Sequence, residues 1–110
     1  MAEYPVQLDP SQVAAALADS TETIELLDVR EGWEVTLCAI AGSRHIPMND
    51  VPERVDELPR DRALVVVCHH GTRSMQVAQW LRAQGFENAI NLDGGIDEWA
   101  RTVEPGMATY

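Results

Sequence analysis

The chain has 110 residues, 45% of them hydrophobic, with 18 acidic against 8 basic residues and a formal net charge of −10. That length holds one domain, residues 1–110, around one core at about residues 6–103. The basic residues are all Arg and are scattered, which excludes a nucleic-acid face; no apolar run is long enough to span a bilayer.

Met1 to Pro5 lack the basic start and apolar stretch of a secretory leader, which predicts a cytoplasmic protein with free thiols at Cys38 and Cys68. Val6-Gln7-Leu8 reads as a short first strand. Asp9-Pro10-Ser11 opens a helix whose apolar stripe is Val13, Ala14, Leu17 and Ala18. Ile24 to Val29 is a second strand, Gly32 to Leu37 a short helix, and Ala41-Gly42-Ser43 a turn. Cys38, inside an apolar stretch, reads as a small buried hydrophobe. Arg44 to Pro47 is extended, and Pro47 argues for a sheet edge or a strand end.

Pro52 to Leu58 reads as a brief helix stopped by Pro59. Ala63 to Val67 is the clearest strand, continuous, mostly β-branched and expected to be buried on both faces. The clearest helix runs from Ser74 to Gln84 with Val77, Ala78 and Leu81 on its apolar side, and Gly85 ends it. Ala89 to Leu92 is a last strand; Gly94-Gly95 turns the chain into a final helix over Ile96 to Arg101. Short apolar runs alternating with helices predict an α/β fold with a mainly parallel sheet. Trp33, Trp80 and Trp99 are expected in the core or in helix packing.

The most informative segment is Cys68-His69-His70-Gly71-Thr72-Arg73-Ser74, directly behind the Ala63–Val67 strand. A thiol at the end of a strand, before a tight loop and a helix, meets turn amides and the positive end of that helix. Both favour thiolate over thiol and can hold an anionic group. Cys68 is therefore a candidate nucleophile. In a parallel sheet the functional loops gather at the carboxyl ends of the strands. Asp28-Val29-Arg30, the Cys68 loop and Asp93-Gly94-Gly95 all fall there. Because the overall charge repels anions, local donors must do the binding.

Five pieces together resemble the rhodanese-like domain, particularly its small single-domain bacterial sulfurtransferases. They are Leu27-Asp28-Val29-Arg30-Glu31 with Trp33-Glu34; Ala41-Gly42-Ser43-Arg44-His45-Ile46-Pro47; Val65 through Ser74; Gly85-Phe86; and Asn91 through Trp99. The resemblance implies a five-stranded, mainly parallel sheet with helices on both faces. It implies that Cys68 takes the outer sulfur of a small anionic donor such as thiosulfate, carries it as a persulfide, and passes it to cyanide or a thiol. The backbone amides of His69, His70, Gly71, Thr72, Arg73 and Ser74 would cradle sulfur and donor, and Arg73 would bind the sulfite part. No cofactor is implied; a sulfur-acceptor protein is a further possible partner. Relatives often carry a histidine before Gly42 where this chain has Ala39, a difference that bears on packing and not on sulfur chemistry.

Other readings are weaker. Phosphatases of the dual-specificity type and some arsenate reductases share the fold but place five residues between Cys and Arg. Here four, His69 through Thr72, separate Cys68 from Arg73, a smaller cradle that suits sulfur better than a tetrahedral phosphate. His69 and His70 read as a polar rim rather than metal ligands, since no Cys-x-x-Cys or His-x-x-x-His spacing completes a site. Arg73 either contacts substrate, the preferred reading, or pairs with an acid such as Asp28 or Glu31. Asp28 and Arg30 read as a structural lock. The competing function is a rhodanese-like module that binds a partner without catalysis, or a relay to another protein's thiol.

Overall fold

The computed structural model describes residues 3–110. Five strands form one sheet: β1 (Gln7–Leu8), β2 (Ile24–Asp28), β3 (Arg44–His45), β4 (Ala63–Val67) and β5 (Ala89–Leu92). Their spatial order is β1-β5-β4-β2-β3, and every pairing is parallel. The helices are α1 (Pro10–Ala18), α2 (Gly32–Leu37), α3 (Thr72–Ala83) and α4 (Gly95–Thr102). Parallel neighbours cannot be joined by hairpins, so the chain crosses over through helices and covers both faces of the sheet.

The alternation of β4 shows how the two faces are served. Leu64, Val66 and Cys68 belong to a core with Val77, Ala78 and Leu81 of α3, and with Leu27 of β2 and Phe86. Val65 and Val67 belong to a second core with Val13 of α1, and with Ile96 and Trp99 of α4. Successive side chains of a strand point to opposite faces, so an unbroken Leu-Val-Val-Val run fills both cores at once. Asp9 caps α1, its carboxylate accepting from the Gln12 amide at 2.9 Å while the Gln12 side chain accepts from the Asp9 amide at 3.0 Å.

Several sequence-based expectations need correction. α3 begins at Thr72, two residues before the expected start at Ser74, so Thr72 and Arg73 lie in its first turn. Pro52–Glu57 is a 3-10 helix, with Arg54 off helical geometry at φ −118°, and a shorter 3-10 turn at Met48–Asp50 precedes it. In α1 the buried face is Pro10 and Val13, with Ala14 packed partly against the second core, while Leu17 is 41% exposed. Of the tryptophans only Trp99 is in the core; Trp33 is 65% exposed and Trp80 37% exposed. Cys38 is half-buried against the second core, at the end of α2.

Candidate active site

Cys68 leaves β4 at its carboxyl end and lies at the bottom of the loop that leads into α3, 1% exposed. Two donors from the chain's own turn surround its sulfur. The Gly71 amide reaches Sγ at 3.0 Å and the Ser74 hydroxyl lies 3.2 Å away. Gly71 stands at φ +101° as the residue before α3. Glycine adopts that left-handed conformation without steric strain, which lets the chain turn into α3 directly after the amide that meets the sulfur. A sulfur that bears negative charge therefore meets an amide, a hydroxyl and the N-terminal end of α3.

The loop is held from below by the β5–α4 turn. The Ile96 amide donates to the Cys68 carbonyl at 2.8 Å and the Asp97 amide to the His69 carbonyl at 3.0 Å. These are first-turn donors of α4 that have no partner within their own helix. Gly95, at φ +63°, makes the close approach feasible, because a Cβ there would run into the Cys68 and His69 carbonyls. The expected convergence of three strand-end loops is thus present. On the other side, the Val29 amide donates to the Val67 carbonyl at 2.9 Å.

Ser74, fully buried, also hydrogen-bonds Asn91 Oδ1 on β5, and Asn91 Nδ2 donates to Gln7 Oε1 at 2.9 Å. The hydroxyl has a single proton to share between the sulfur and the amide oxygen.

A charged layer surrounds the mouth. Arg73 donates through both Nη atoms to the two Glu34 carboxylate oxygens, at 2.8 and 2.9 Å. Its acid partner is therefore Glu34 of α2, neither Asp28 nor Glu31. Glu34 accepts further from the Glu31 amide at 3.0 Å and from the Tyr110 hydroxyl at 2.7 Å. The Arg73 hydrogen bonds chiefly, working against burial, hold the Glu34 carboxyl down at about 2. Arg73 is raised in turn by the same hydrogen bonds to Glu34. Arg30, fully buried, grips Asp28 through Nε at 2.9 Å and Nη2 at 2.6 Å, the structural lock expected of this pair. It also donates to the Cys38 carbonyl at 2.8 Å and to the Tyr110 hydroxyl at 3.1 Å. Burial would lower the Arg30 guanidinium, but the bonds to Asp28 and Tyr110 outweigh it and leave it raised.

His69 and His70 form the rim, their rings stacked at 3.9 Å with a 29° tilt. Asp97 joins them: one ligand atom from each of the three lies within 4.8 Å of the others. The donor set does not fit a metal well. Rings stacked nearly parallel send their lone pairs side by side instead of converging on one ion, and Asp97 is already paired with Arg101. Burial first, and the neighbouring His70 second, push His69 below the usual histidine range.

Three site residues were not singled out from sequence. Glu34 had a weak signal in Glu31-x-x-Glu34, the spacing of a helix-start capping pair. Asn91 was a polar residue inside an apolar strand. Tyr110 carried no signal at all. It is nevertheless stacked on His69 at 3.8 Å and 8°, and set edge-on to Trp33 at 6.0 Å.

Comparison with known proteins places this geometry. Residues 9–102 match the family model of the rhodanese-like domain. The chain belongs to the rhodanese-like domain family. A protein of Allochromatium vinosum named sulfurtransferase is 38% identical over 102 residues, 93% of this chain and 94% of that protein. The crystal structure of a rhodanese-related protein from Thermoplasma volcanium superimposes with a TM-score of 0.81 at 29% identity, covering 92% of this chain and 96% of that one. A human single-domain sulfurtransferase, at 23% identity, shares the fold with a TM-score of 0.76 over 89% of this chain and 97% of its own. This rhodanese-like domain has two free cysteines, and among the described residues no helix is long and apolar enough to cross a membrane.

Proposed function

We propose that this rhodanese-like domain is a sulfurtransferase whose working group is the Cys68 thiolate. The observation that carries the reading is the sulfur at the bottom of the loop, with the Gly71 amide at 3.0 Å and the Ser74 hydroxyl at 3.2 Å. In the first half-reaction the thiolate attacks the outer sulfur of a donor such as thiosulfate. A new S–S bond forms on Sγ, the S–S bond of thiosulfate breaks, and sulfite leaves with the electron pair. In the second half-reaction cyanide or a thiolate attacks the terminal sulfur, and Cys68 leaves as thiolate. No redox partner is needed, because the sulfane sulfur changes hands without net oxidation. The loop donors serve both states, since each places negative charge on or beside the sulfur at fixed, prealigned dipoles.

The other loop residues take roles consistent with this scheme. The amides of His69 through Ser74 cradle the terminal sulfur and the anionic donor. Arg73, about one-third exposed at the mouth, supplies the cation for the sulfite part once it shares its Glu34 contact. A net charge of −10 makes such a local cation necessary for an anionic substrate. The acceptor is a small thiophile or the thiol of a partner protein, and the setting is cytosolic.

Intact mass after incubation with thiosulfate tests the reading. Wild type should gain the mass of one sulfur, lost on adding cyanide, while Cys68→Ser gains none and Cys38→Ser behaves as wild type. A wild-type protein that stays unmodified across a range of donors would favour a partner-binding module. Equal damage from Cys38→Ser and Cys68→Ser would overturn the single-nucleophile scheme.

A further inference from the structure

The last eight residues, 103–110, run back from α4 along the second core to the rim at His69. The Met107 amide donates to the Glu104 carbonyl at 2.8 Å, and Glu104 is itself anchored by the Trp99 indole N–H at 2.9 Å. This turn spans Pro105 and Gly106, both exposed, and directs Ala108, Thr109 and Tyr110 across a slot lined by Cys38, His69, Ile96 and Asp97. Beyond the turn, Ala108 and Thr109 are exposed, while Met107 packs on the second core and Tyr110 enters the site.

Tyr110 sits at the rim beside the Cys68 loop. Its ring lies flat on His69, the residue next to Cys68, and meets the edge of Trp33. Its hydroxyl donates to Glu34 and accepts from Arg30, so both guanidiniums nearest the mouth are occupied: Arg30 by Asp28 and Tyr110, Arg73 by Glu34. Under the seated ring, His69 Nε2 is buried without a hydrogen-bond partner. A buried, unpaired polar nitrogen is costly, and withdrawing the ring would hydrate it. The seated arrangement thus combines a stack and two hydrogen bonds with a ring nitrogen that has no partner beneath it.

We propose that Tyr110 determines access to Cys68: seated between His69 and Trp33 it closes the mouth of the site, and sulfur donors and acceptors reach the thiol only when it withdraws. This rests on the sulfurtransferase reading for its purpose, though not for its test. Withdrawal frees one Arg30 donor and exposes the rim histidines at the point where an anionic donor must enter. A donor is therefore recognised by a surface that the tyrosine itself covers. Because the withdrawn state must be populated first, apparent rates at Cys68 scale with its fraction.

Alkylation of Cys68 by iodoacetamide, followed by peptide mass mapping to separate it from Cys38, tests the proposal without requiring sulfur transfer. An aromatic stack plus two hydrogen bonds implies that Tyr110→Ala speeds modification of Cys68 by roughly 10- to 100-fold. Tyr110→Phe keeps the ring and loses the hydroxyl, and should give an intermediate gain of about 3-fold or more. Both variants are to be compared at a temperature where their unfolding transitions show them fully folded. A Tyr110→Ala protein that is folded and reacts at the wild-type rate, or more slowly, overturns the proposal. Faster alkylation in a protein that never forms a thiosulfate adduct would support the gate and refute the sulfurtransferase reading, so the two can fail separately.

Discussion

Glu34→Gln removes one charge from the centre of the site network and keeps the side chain's shape. In the folded protein the Glu34 carboxyl is held at about 2, against 4.5 for the free group, mainly by its two hydrogen bonds to Arg73. That difference corresponds to about 3 kcal/mol of preference for the charged form. Glu34 itself is only 4% exposed, but Arg73 is 35% exposed and solvent screens part of the attraction, so about 2–3 kcal/mol is expected at pH 7. The variant retains one amide oxygen and loses the bidentate match to the guanidinium. Because the folded value is depressed, the stabilisation is fully present above about pH 4.5 and is lost as pH falls towards 2. Urea unfolding at several pH values reads this directly. With a slope of about 1–1.5 kcal/mol/M for a chain of this size, the midpoint should drop by about 2 M at pH 7. The gap between wild type and variant should narrow steadily between pH 4.5 and the acid limit. A gap below about 0.5 kcal/mol at pH 7 would rule out a strong Arg73–Glu34 pair, as would one that stays constant into acid. Either result would mean that the Arg73–Glu34 pair is broken by solvent in solution.

Two further substitutions probe the loop. Gly95→Ala combines a positive φ with a Cβ forced against the Cys68 and His69 carbonyls, and should cost about 3 kcal/mol or more while displacing the loop. Thermal unfolding together with Cys68 alkylation rates checks it, and near-wild-type values in both would show that the loop is not held by this close approach. Ser74→Ala removes the hydroxyl beside Sγ and leaves Asn91 Oδ1 without that partner. Persulfide formation should slow roughly tenfold, with stability lowered by about 1–3 kcal/mol. An unchanged single-turnover rate would assign the sulfur's stabilisation to the backbone amides alone.

Much of the fold was legible in the order of residues because it depends on local chemistry. A five-residue apolar run at Ala63–Val67 can be satisfied only between two covered faces, and Gly71, Gly94 and Gly95 stand where the backbone takes positive φ. The Cys68 loop follows from the same logic: strand, thiol, tight turn and helix are contiguous, so their geometry is set by nearest neighbours. Errors arose where distant packing overrides local preference. α1 buries Val13 but leaves Leu17, one turn on, in solvent, and Trp33 is exposed because α2 packs through Glu34 and not through its aromatic residue.

The α/β architecture, the family, and the placing of Cys68 at a strand end with Gly71 and Ser74 behind it are all readable from residue order. Those features are contiguous in the chain, and periodicity and turn chemistry act over a few residues. Tertiary packing alone sets which acid holds Arg73, that Asn91 stands behind Ser74, and that Tyr110 reaches back to Glu34. Each of these pairs joins residues far apart in the chain: 39 positions from Glu34 to Arg73, 17 from Ser74 to Asn91, and 76 from Glu34 to Tyr110. Such contacts exist only because the parallel crossovers bring the carboxyl ends of β2, β4 and β5 to one edge of the sheet, and no local rule of propensity reaches that far.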